Sequence, residues 1–251
     1  MTSDSSPLAT RFLQLWEHLS QLPLFALLIT LVIYWLALLL YQRVGRNILL
    51  HPVGVAAVGI TALLHLFDIS YQHYLNANQL LLFLLGPATV ALAIPLYQEF
   101  QHLRRLLVPI IITSIAGGTV ACASAVAITW WLGGSELTLL SVAPKSVTTP
   151  IALEVANSIG GLPSLAAGVV LLTGVGAALL SPLAFRITRL QNPQLQGAVL
   201  GINAHAIGTA RAFETTTGGG AFASLTMGLT GIFTALLLPY LVHALRTAGW
   251  L

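Results

Sequence analysis

Seven long stretches without a charged residue dominate this sequence. They cover residues 18–42, 47–67, 69–98, 106–135, 155–185, 190–210 and 215–245. Each is at least as long as the roughly 20 residues with which an α-helix crosses a bilayer. The alternation of polar and apolar residues that a membrane β-barrel needs is absent from all seven. The sequence therefore predicts an all-α polytopic membrane protein.

The composition excludes the other broad classes of protein. Charged residues make up 7% of the chain, whereas soluble domains carry about 25%. The mean hydropathy of +0.89 excludes intrinsic disorder. The ten Lys and Arg residues are scattered along the chain, so we expect no nucleic-acid partner. Cys122 is the only cysteine, which rules out a disulfide framework.

Pairs of arginines predict the orientation in the membrane, because Lys and Arg concentrate in cytoplasmic loops. The pairs are Arg43 with Arg46, Arg104 with Arg105, and Arg186 with Arg189. All three pairs lie on the cytoplasmic side of the membrane if residues 136–160 form a re-entrant segment that enters the membrane and returns. The C-terminus near Arg246 then lies on that side too, and the N-terminus lies outside. The alternative is that 136–160 crosses the membrane, so we expect about seven to eight membrane segments.

A polar extension at residues 1–19 precedes the first run, and we read no signal peptide there. We expect residues 20–246 to form a single transmembrane domain. Glycines in this domain recur at an offset of about 115 residues, with Gly59, Gly86 and Gly117 matched by Gly174, Gly201 and Gly231. This spacing predicts two inverted repeats of three helices, 48–132 and 163–246, although chance recurrence among the 22 glycines is the alternative. Inverted repeats with broken helices are typical of transporters.

The densest polar cluster inside the apolar sequence is PKSVTTPIALE at 144–154. Pro144 and Pro150 prevent one continuous helix, and the residues before them are expected to be extended. The ammonium of Lys145 would favour a small anion such as a carboxylate, together with unpaired amides and the N-terminus of the helix that begins at Pro150. Hydroxyl groups of the same stretch would add hydrogen bonds, namely Ser146, Thr148 and Thr149. An ordinary surface loop with Thr149 as the helix N-cap is the alternative.

A second cluster is GINAHAIGTARAFE at 201–214. On one straight helix, Gly201, His205, Gly208 and Ala212 share a face on which another helix can approach closely. His205 suits proton coupling, because its charge changes near physiological pH, and Glu154 is the second such candidate. Alternatively, His205 is a core histidine with its hydrogen bonds satisfied. Either the helix unwinds near Gly208 and turns Arg211 toward that face, or Arg211 extends to the interface and pairs with Glu214.

The third cluster is LGPATVALAIPLY at 85–97. Gly86, Pro87 and Pro95 are expected to break a membrane helix there, which would leave carbonyl groups in need of partners. A kinked helix with a packing role is the alternative. The sequence shows no arrangement of nucleophile, base and orienting group for hydrolysis, so we expect no enzyme, no metal and no cofactor.

These three clusters, together with IGGLPSLAAGVVLLTG at 159–174, resemble the signature stretches of the LrgB/CidB family. The resemblance covers about residues 20–246. It implies a bacterial inner membrane protein of the holin-like or antiholin-like kind, which modulates murein hydrolase activity and autolysis beside a small LrgA/CidA-type subunit. It also implies transport, because a related chloroplast protein exchanges glycolate for glycerate and some bacterial members are linked to pyruvate uptake.

The polar features favour the transport branch of this family, because a lytic pore needs no defined anion site. The resemblance then implies that Lys145 is the main partner of the carboxylate. His205, Thr209 and Arg211 would complete the site from the facing repeat, and Thr89 would approach from the first repeat. Gly201 and Gly208 would be hinges, like the prolines of the other clusters. A homodimer is expected from the family and from the faces of small residues.

Overall fold

A computed structural model describes residues 23–45, 50–91 and 93–249, without the side chains of residues 23, 82, 85, 86, 88, 89, 95 and 102. The predicted extension at 1–19 lies outside this part. The described residues are helical and contain no strand, so the all-α prediction is confirmed. They fall into two compact units that meet at residues 91 and 92, and each unit is described by itself.

Within the described residues, the first unit contains four helices, α1 (Pro23–Arg43), α2 (Pro52–Leu66), α3 (Tyr71–Ala77) and α4 (Gln79–Ala91). α2 and α3 meet at an angle of 118°. Asp68, with φ of 52°, lies in the bend, and the Ser70 hydroxyl caps α3 by accepting from the amide of His73. α3 packs on α1 through a hydrogen bond between the hydroxyls of Thr30 and Tyr74 (2.7 Å).

The second unit contains eight helices within the described residues. They are α5 (Ala93–Gln98), α6 (Phe100–Arg105), α7 (Leu107–Trp131), α8 (Glu136–Val142), α9 (Thr149–Ile159), α10 (Pro163–Thr188), α11 (Pro193–Thr215) and α12 (Thr217–Thr247). α7, α10 and α12 are long apolar helices, and α12 with its 31 residues extends over about 46 Å. They frame the shorter, broken elements.

Four described helices are long and apolar enough to cross a membrane by themselves, namely α1, α7, α10 and α12. The bent pair α2 and α3 would make a fifth span. The chain is thus a multi-pass membrane protein, but fewer described helices qualify than the seven or eight segments predicted. Part of the difference lies in residues 136–160 and 190–210, which fold within hairpins of the second unit.

The first hairpin consists of α8, the turn at 143–148 and α9. Leu140 of α8 and Ala143 just after it form a buried cluster with Val155 and Ile159 of α9. At the base of the hairpin, Arg246 donates hydrogen bonds both to the Glu136 carboxylate (3.3 Å) and to the Ile159 carbonyl (3.1 Å). The segment therefore returns to the end from which it came, which is the form that a re-entrant segment has.

The second hairpin is α11, which reverses direction at His205. The backbone of His205 is far from helical, with φ of 40° and ψ of −127°. Beyond this residue the helix folds back, since a Cβ on Gly208 would lie only 2.4 Å from the Leu200 carbonyl oxygen. The first limb, 193–204, and the second limb, 206–215, both pack against α12. The sequence predicted a membrane span at 190–210, with unwinding near Gly208 as one alternative, and the reversal at His205 corrects this prediction.

The two hairpins begin at opposite ends of the second unit. The outer ends of both limbs of α11 lie beside Gly219 near the beginning of α12, since a Cβ on Gly219 would be 3.0 Å from the Pro193 carbonyl oxygen and 3.5 Å from that of Ala212. The base of the first hairpin lies beside Arg246 near the end of α12. Arg246 therefore lies at the opposite end from Arg186, which belongs to the last turn of α10. The expected placement of both on one side is wrong, because α11 turns back instead of crossing.

Several local expectations also need correction. Because α11 reverses at His205, Gly201 and Gly208 lie on different limbs and do not share one helix face with His205. Ala143 is helical, with φ of −52° and ψ of −46°, and the extended residue before α9 is Thr148 instead of Thr149. The preference against helix before proline is a bias that a helix end can override. α4 continues without interruption through Gly86 and Pro87, and Pro95 lies within α5.

Candidate functional site

The tips of the two hairpins meet beside Val170, in the first half of α10. The Val147 side chain, in the first tip, packs against Val170 of α10 in a buried cluster. At the second tip, Nε2 of His205 donates a hydrogen bond to the carbonyl oxygen of the same Val170 (3.0 Å). α10 begins at the base of the first hairpin and ends at the base of the second. The two tips therefore reach the same level from opposite ends.

Contacts with α12 show independently how far along the unit the two tips lie. Ile151, at the start of α9, lies so close to α12 that a Cβ on Gly231 would be 2.9 Å from its side chain. The Thr209 hydroxyl of the second hairpin lies 3.6 Å from the sulfur of Met227. Met227 and Gly231 are one helical turn apart, close to the midpoint of α12. The α12 contacts thus place the tips close to halfway along this helix.

The first tip carries the predicted anion-binding residues. Lys145 is half-buried, and its ammonium donates to the hydroxyl of buried Ser146 (3.3 Å). Thr148 is the N-cap of α9, yet its side chain makes no capping hydrogen bond. The first-turn amides of α9 therefore lack this usual partner, and such amides attract negative charge. Thr149 begins α9 and is exposed.

The second tip is a strained turn around a buried imidazole. His205 exposes only 3% of its surface. Its φ of 40° is rare for a residue with a side chain, and such strain costs about 1–3 kcal/mol and concentrates at functional sites. The Thr209 hydroxyl donates to the backbone carbonyl of His205 (2.9 Å), which begins the second limb. The turn is thus held by two hydrogen bonds, one from the His205 ring to Val170 and one from the Thr209 hydroxyl to the His205 carbonyl.

Gly174 makes room for this imidazole. A Cβ at Gly174 would lie 2.6 Å from Cε1 and 2.8 Å from Nε2 of His205, which is closer than nonbonded carbon atoms approach. Gly201 has a similar role on the first limb, because a Cβ there would lie 2.2 Å from the Ala223 carbonyl oxygen. The glycines singled out by the repeat spacing therefore permit close packing of α11 on α10 and α12.

The two tips bring Lys145 and His205 within electrostatic reach of each other. The thiol of Cys122, on α7, lies within similar reach of Lys145. The site thus combines an ammonium group, hydroxyls, a helix N-terminus and an imidazole at mid-depth. A group of this kind can hold a small anion and can exchange a proton beside it.

Sequence reasoning missed two residues at this level. Cys122 is the first, because a lone cysteine has no spacing to other cysteines from which a role could be inferred. Thr230 was not singled out, yet its buried hydroxyl has no hydrogen-bond partner among the described residues. Thr230 lies beside Gly231 on α12, at the height of the tips. Hydroxyls in apolar helices carry no distinctive pattern, so the sequence held no signal for it.

Other predicted residues lie away from the tips. Arg211 belongs to the second limb of α11 and pairs with Glu214, as one sequence alternative expected, and it also lines a cleft near the base of this hairpin. Glu154 is exposed on α9. Thr89 lies in α4 of the first unit, and its side chain is outside the described part. Their predicted roles stay predictions.

Comparison with known proteins agrees with the resemblance in the motifs. Residues 30–244 match the model of the LrgB-like family. The chain is 36% identical over 217 residues to the uncharacterized protein YwbG of Bacillus subtilis, with 86% of this chain and 96% of the relative covered. It is 30% identical over 220 residues to the holin-like protein CidB of Staphylococcus aureus, covering 87% of this chain and 95% of that one.

The antiholin-like protein LrgB of Bacillus subtilis is 29% identical over 221 residues, which is 88% of this chain and 96% of the relative. No solved structure is significantly similar to the chain. The family match spans the long helices and both hairpins of the second unit. The chain belongs to the LrgB-like family.

Proposed function

We propose that the chain is a transporter of small monocarboxylates of the glycolate, glycerate or pyruvate type, and that transport is coupled to protons. One observation carries this proposal: two helical hairpins from opposite ends bring Lys145 and His205 together beside the interior turns of α10 and α12. Broken helices that meet near the membrane midplane are the usual substrate sites of secondary transporters. A site at this depth can be opened alternately from either end.

The chemistry of the first tip suits a carboxylate. The Lys145 ammonium would pair with one oxygen, and hydroxyls at Ser146, Thr148 and Thr149 would bond the other or a hydroxyl at the neighbouring carbon. The N-terminus of α9 adds a partial positive charge. An ionisable group this far from both ends is costly in a membrane unless it has a partner or a function. A bound carboxylate would be such a partner for Lys145.

Proton coupling would use the second tip. His205 is buried beside the same site, and Thr209 holds its backbone. Binding an anion beside the imidazole would favour its protonated form, so that anion and proton would move together. Glu154 is the other candidate for the coupling proton. Its exposed position on α9 would suit a water-filled approach to the site.

The remaining predictions from the sequence belong to the same proposal. We expect inverted repeats at 48–132 and 163–246, a homodimer and a location in the bacterial inner membrane. A small LrgA/CidA-type membrane subunit is the expected partner. The chain would be a transporter without enzymatic activity.

The names of the relatives favour a second candidate function. The similar proteins of Staphylococcus aureus and Bacillus subtilis are named holin-like and antiholin-like. On this basis the chain would modulate murein hydrolase activity and autolysis through the permeability of the membrane. These names support the second candidate more directly than they support transport. The geometry of the tips favours transport, because a nonselective lesion needs no mid-depth charge.

Uptake into proteoliposomes tests the two functions against each other. The purified chain would be given labelled glycolate, glycerate and pyruvate, with and without a pH gradient, while a large trapped dye reports leakage. We expect saturable uptake of at least one acid that responds to the gradient, with the dye retained. Dye release without saturable uptake would favour the holin-like function and would contradict transport.

Variants of Lys145 connect this assay to the site. Lys145→Ala is expected to lower uptake by at least about thirtyfold, because an anion loses its charged partner. Lys145→Arg keeps the charge and should keep part of the activity. The matched control is Ser158→Ala, an exposed position on the same hairpin, which should transport like the parent. Normal uptake by Lys145→Ala would exclude the proposed anion site.

A further inference from the structure

A cleft of about 600 Å³ lies at the base of the second hairpin, apart from the mid-depth site. It lies between the end of α10, the connection to α11 and both limbs of α11. Three guanidinium groups line it, those of Arg186, Arg189 and Arg211. Arg211 also pairs with Glu214, so that carboxylate offsets part of the positive charge. Arg186 and Arg189 are exposed and add two further charges.

The backbone holds Arg189 in an unusual conformation. The Leu190 amide donates to the Phe185 carbonyl (2.9 Å) and the Arg189 amide to the Arg186 carbonyl (3.3 Å), which is the Schellman ending of a helix. Glycine usually occupies the left-handed position of this motif, yet here it is Arg189, with φ of 54°. A side chain kept at a position that glycine fills more easily points to a role for that side chain.

The connection between α10 and α11 is fixed in place as well. The Gln196 side chain donates to the Leu190 carbonyl (2.6 Å), and the Asn192 side chain caps α11 by accepting from the amide of Gln194 (2.9 Å). The arginines therefore project from a structured rim.

One wall of the cleft is apolar and continues onto the outer face of α10. Pro182, Phe185 and Leu190 line the cleft itself. Leu183 and Ile187, on the same turns of α10, expose 56% and 72% of their surfaces. Because α10 is long and apolar enough to span a membrane, these side chains would meet lipid chains. The arginines lie at the end of the span, where lipid headgroups begin.

The same end of the unit carries further arginines. α6 ends at Arg104 and Arg105, and Leu103 of α6 packs with Phe222 near the beginning of α12. This end therefore collects the Lys and Arg excess that marks a cytoplasmic face. The cytoplasmic leaflet is rich in anionic lipids, and basic pockets between membrane helices bind their headgroups.

We propose that the cleft formed by Arg186, Arg189 and Arg211 binds the phosphate group of an anionic phospholipid, whose acyl chains lie along Leu183 and Ile187. Guanidinium groups bind phosphate oxygens through paired, charge-assisted hydrogen bonds. The phosphate would bridge α10 and the returning limb of α11. A bound lipid would thereby stabilise the second hairpin against α10.

Binding of short-chain phosphatidylglycerol to the purified full chain in neutral detergent tests this proposal. Calorimetric titration should show saturable binding, and the double variant Arg186→Gln/Arg189→Gln should weaken it by about tenfold or more. The matched control is Arg104→Gln/Arg105→Gln, an exposed arginine pair of the same unit outside the cleft. It should bind like the parent. Equal losses in the two double variants would overturn the proposal, because they would indicate a diffuse charge effect.

Two further experiments complete the test. The first asks whether the phosphate belongs to a lipid or is free in solution, and the second asks whether the Arg189 side chain contributes to binding. Short-chain phosphatidylcholine should bind far more weakly, and inorganic phosphate should not compete at millimolar concentration. Full competition by inorganic phosphate would mean that the cleft takes a free anion and that the lipid assignment is wrong. Arg189→Gly keeps the backbone turn and removes the side chain. It should fold at least as well as the parent while it binds phosphatidylglycerol more weakly, and unchanged binding would contradict the proposal.

Discussion

Nε2 of His205 donates a 3.0 Å hydrogen bond to the carbonyl oxygen of Val170, and this bond joins the reversal point of α11 to the first half of α10. Val170 also packs against Val147 of the first hairpin. One residue of a long helix therefore contacts both tips. A shift of either hairpin would therefore disturb the contacts of Val170, which makes the packing around this residue a sensitive target for mutation.

Gly174→Ala should destabilise the second unit. The added Cβ would lie 2.6 Å from Cε1 of His205, so the imidazole must move and its bond to Val170 would be strained or lost. Overpacking of this kind costs about 1–3 kcal/mol. A fall in the thermal midpoint of the purified protein in detergent would report it.

Gly176→Ala is the matched control on the same helix. No atom lies within 4 Å of a Cβ at this position, and alanine favours helix over glycine by up to about 1 kcal/mol. We expect an unchanged or raised midpoint for this variant. Equal midpoints for the two variants would show that His205 does not fill the space beside Gly174.

A cross-link between Cys122 and Lys145 should form readily. These residues are the only cysteine and the only lysine of the chain, and they lie within electrostatic reach of each other. A short reagent that joins an amine to a thiol should therefore link α7 to the first tip within one molecule. Mass spectrometry of the digested protein would identify the joined peptides.

Two variants control this cross-linking experiment. Lys145→Arg removes the reactive amine while it keeps the charge, and Cys122→Ser removes the thiol. Both should abolish the joined peptide. A reagent that links Cys122 only to the N-terminal amine, and not to Lys145, would contradict the placement of the first tip beside α7.

The sequence predicted the long helices and the first break of the second unit, but it did not predict the reversal at His205. Charge-free runs reveal helices because lipid excludes charge, and the prolines at 144 and 150 located the first break to within one residue or so. The reversal at His205 carried no such mark, because neither proline nor glycine occupies it. The strain at this residue is balanced by contacts with Val170 and Gly174, which are distant in sequence and could not be inferred from local preference.

Arg246 should matter more for stability than its ion-pair partner. Glu136 and Arg246 are exposed to about half of their side-chain surface, at 52% and 43%, and such pairs contribute about 0–1 kcal/mol. Arg246 also donates to the Ile159 carbonyl at the end of α9, and a hydrogen bond from a charged group contributes about 1.5–3 kcal/mol. Arg246→Ala should therefore lower the thermal midpoint clearly more than Glu136→Gln does, and the reverse order would contradict the helix-capping role of Arg246.

The reversal in α11 predicts an unusual order of stability for two variants of His205. In a regular helix, alanine is more favourable than glycine by about 1 kcal/mol. At φ of 40° and ψ of −127°, a side chain carries a strain of about 1–3 kcal/mol from which glycine is free. Both variants lose the bond to Val170 and the buried ring, so the difference between them isolates the backbone. His205→Gly should therefore unfold at a higher temperature than His205→Ala.

If alanine were the more stable of the two, α11 would be a continuous helix through residue 205, and the meeting of the two hairpin tips would not exist. Neither variant should show gradient-sensitive carboxylate uptake, so the more stable glycine variant would separate the loss of the imidazole from the loss of the fold.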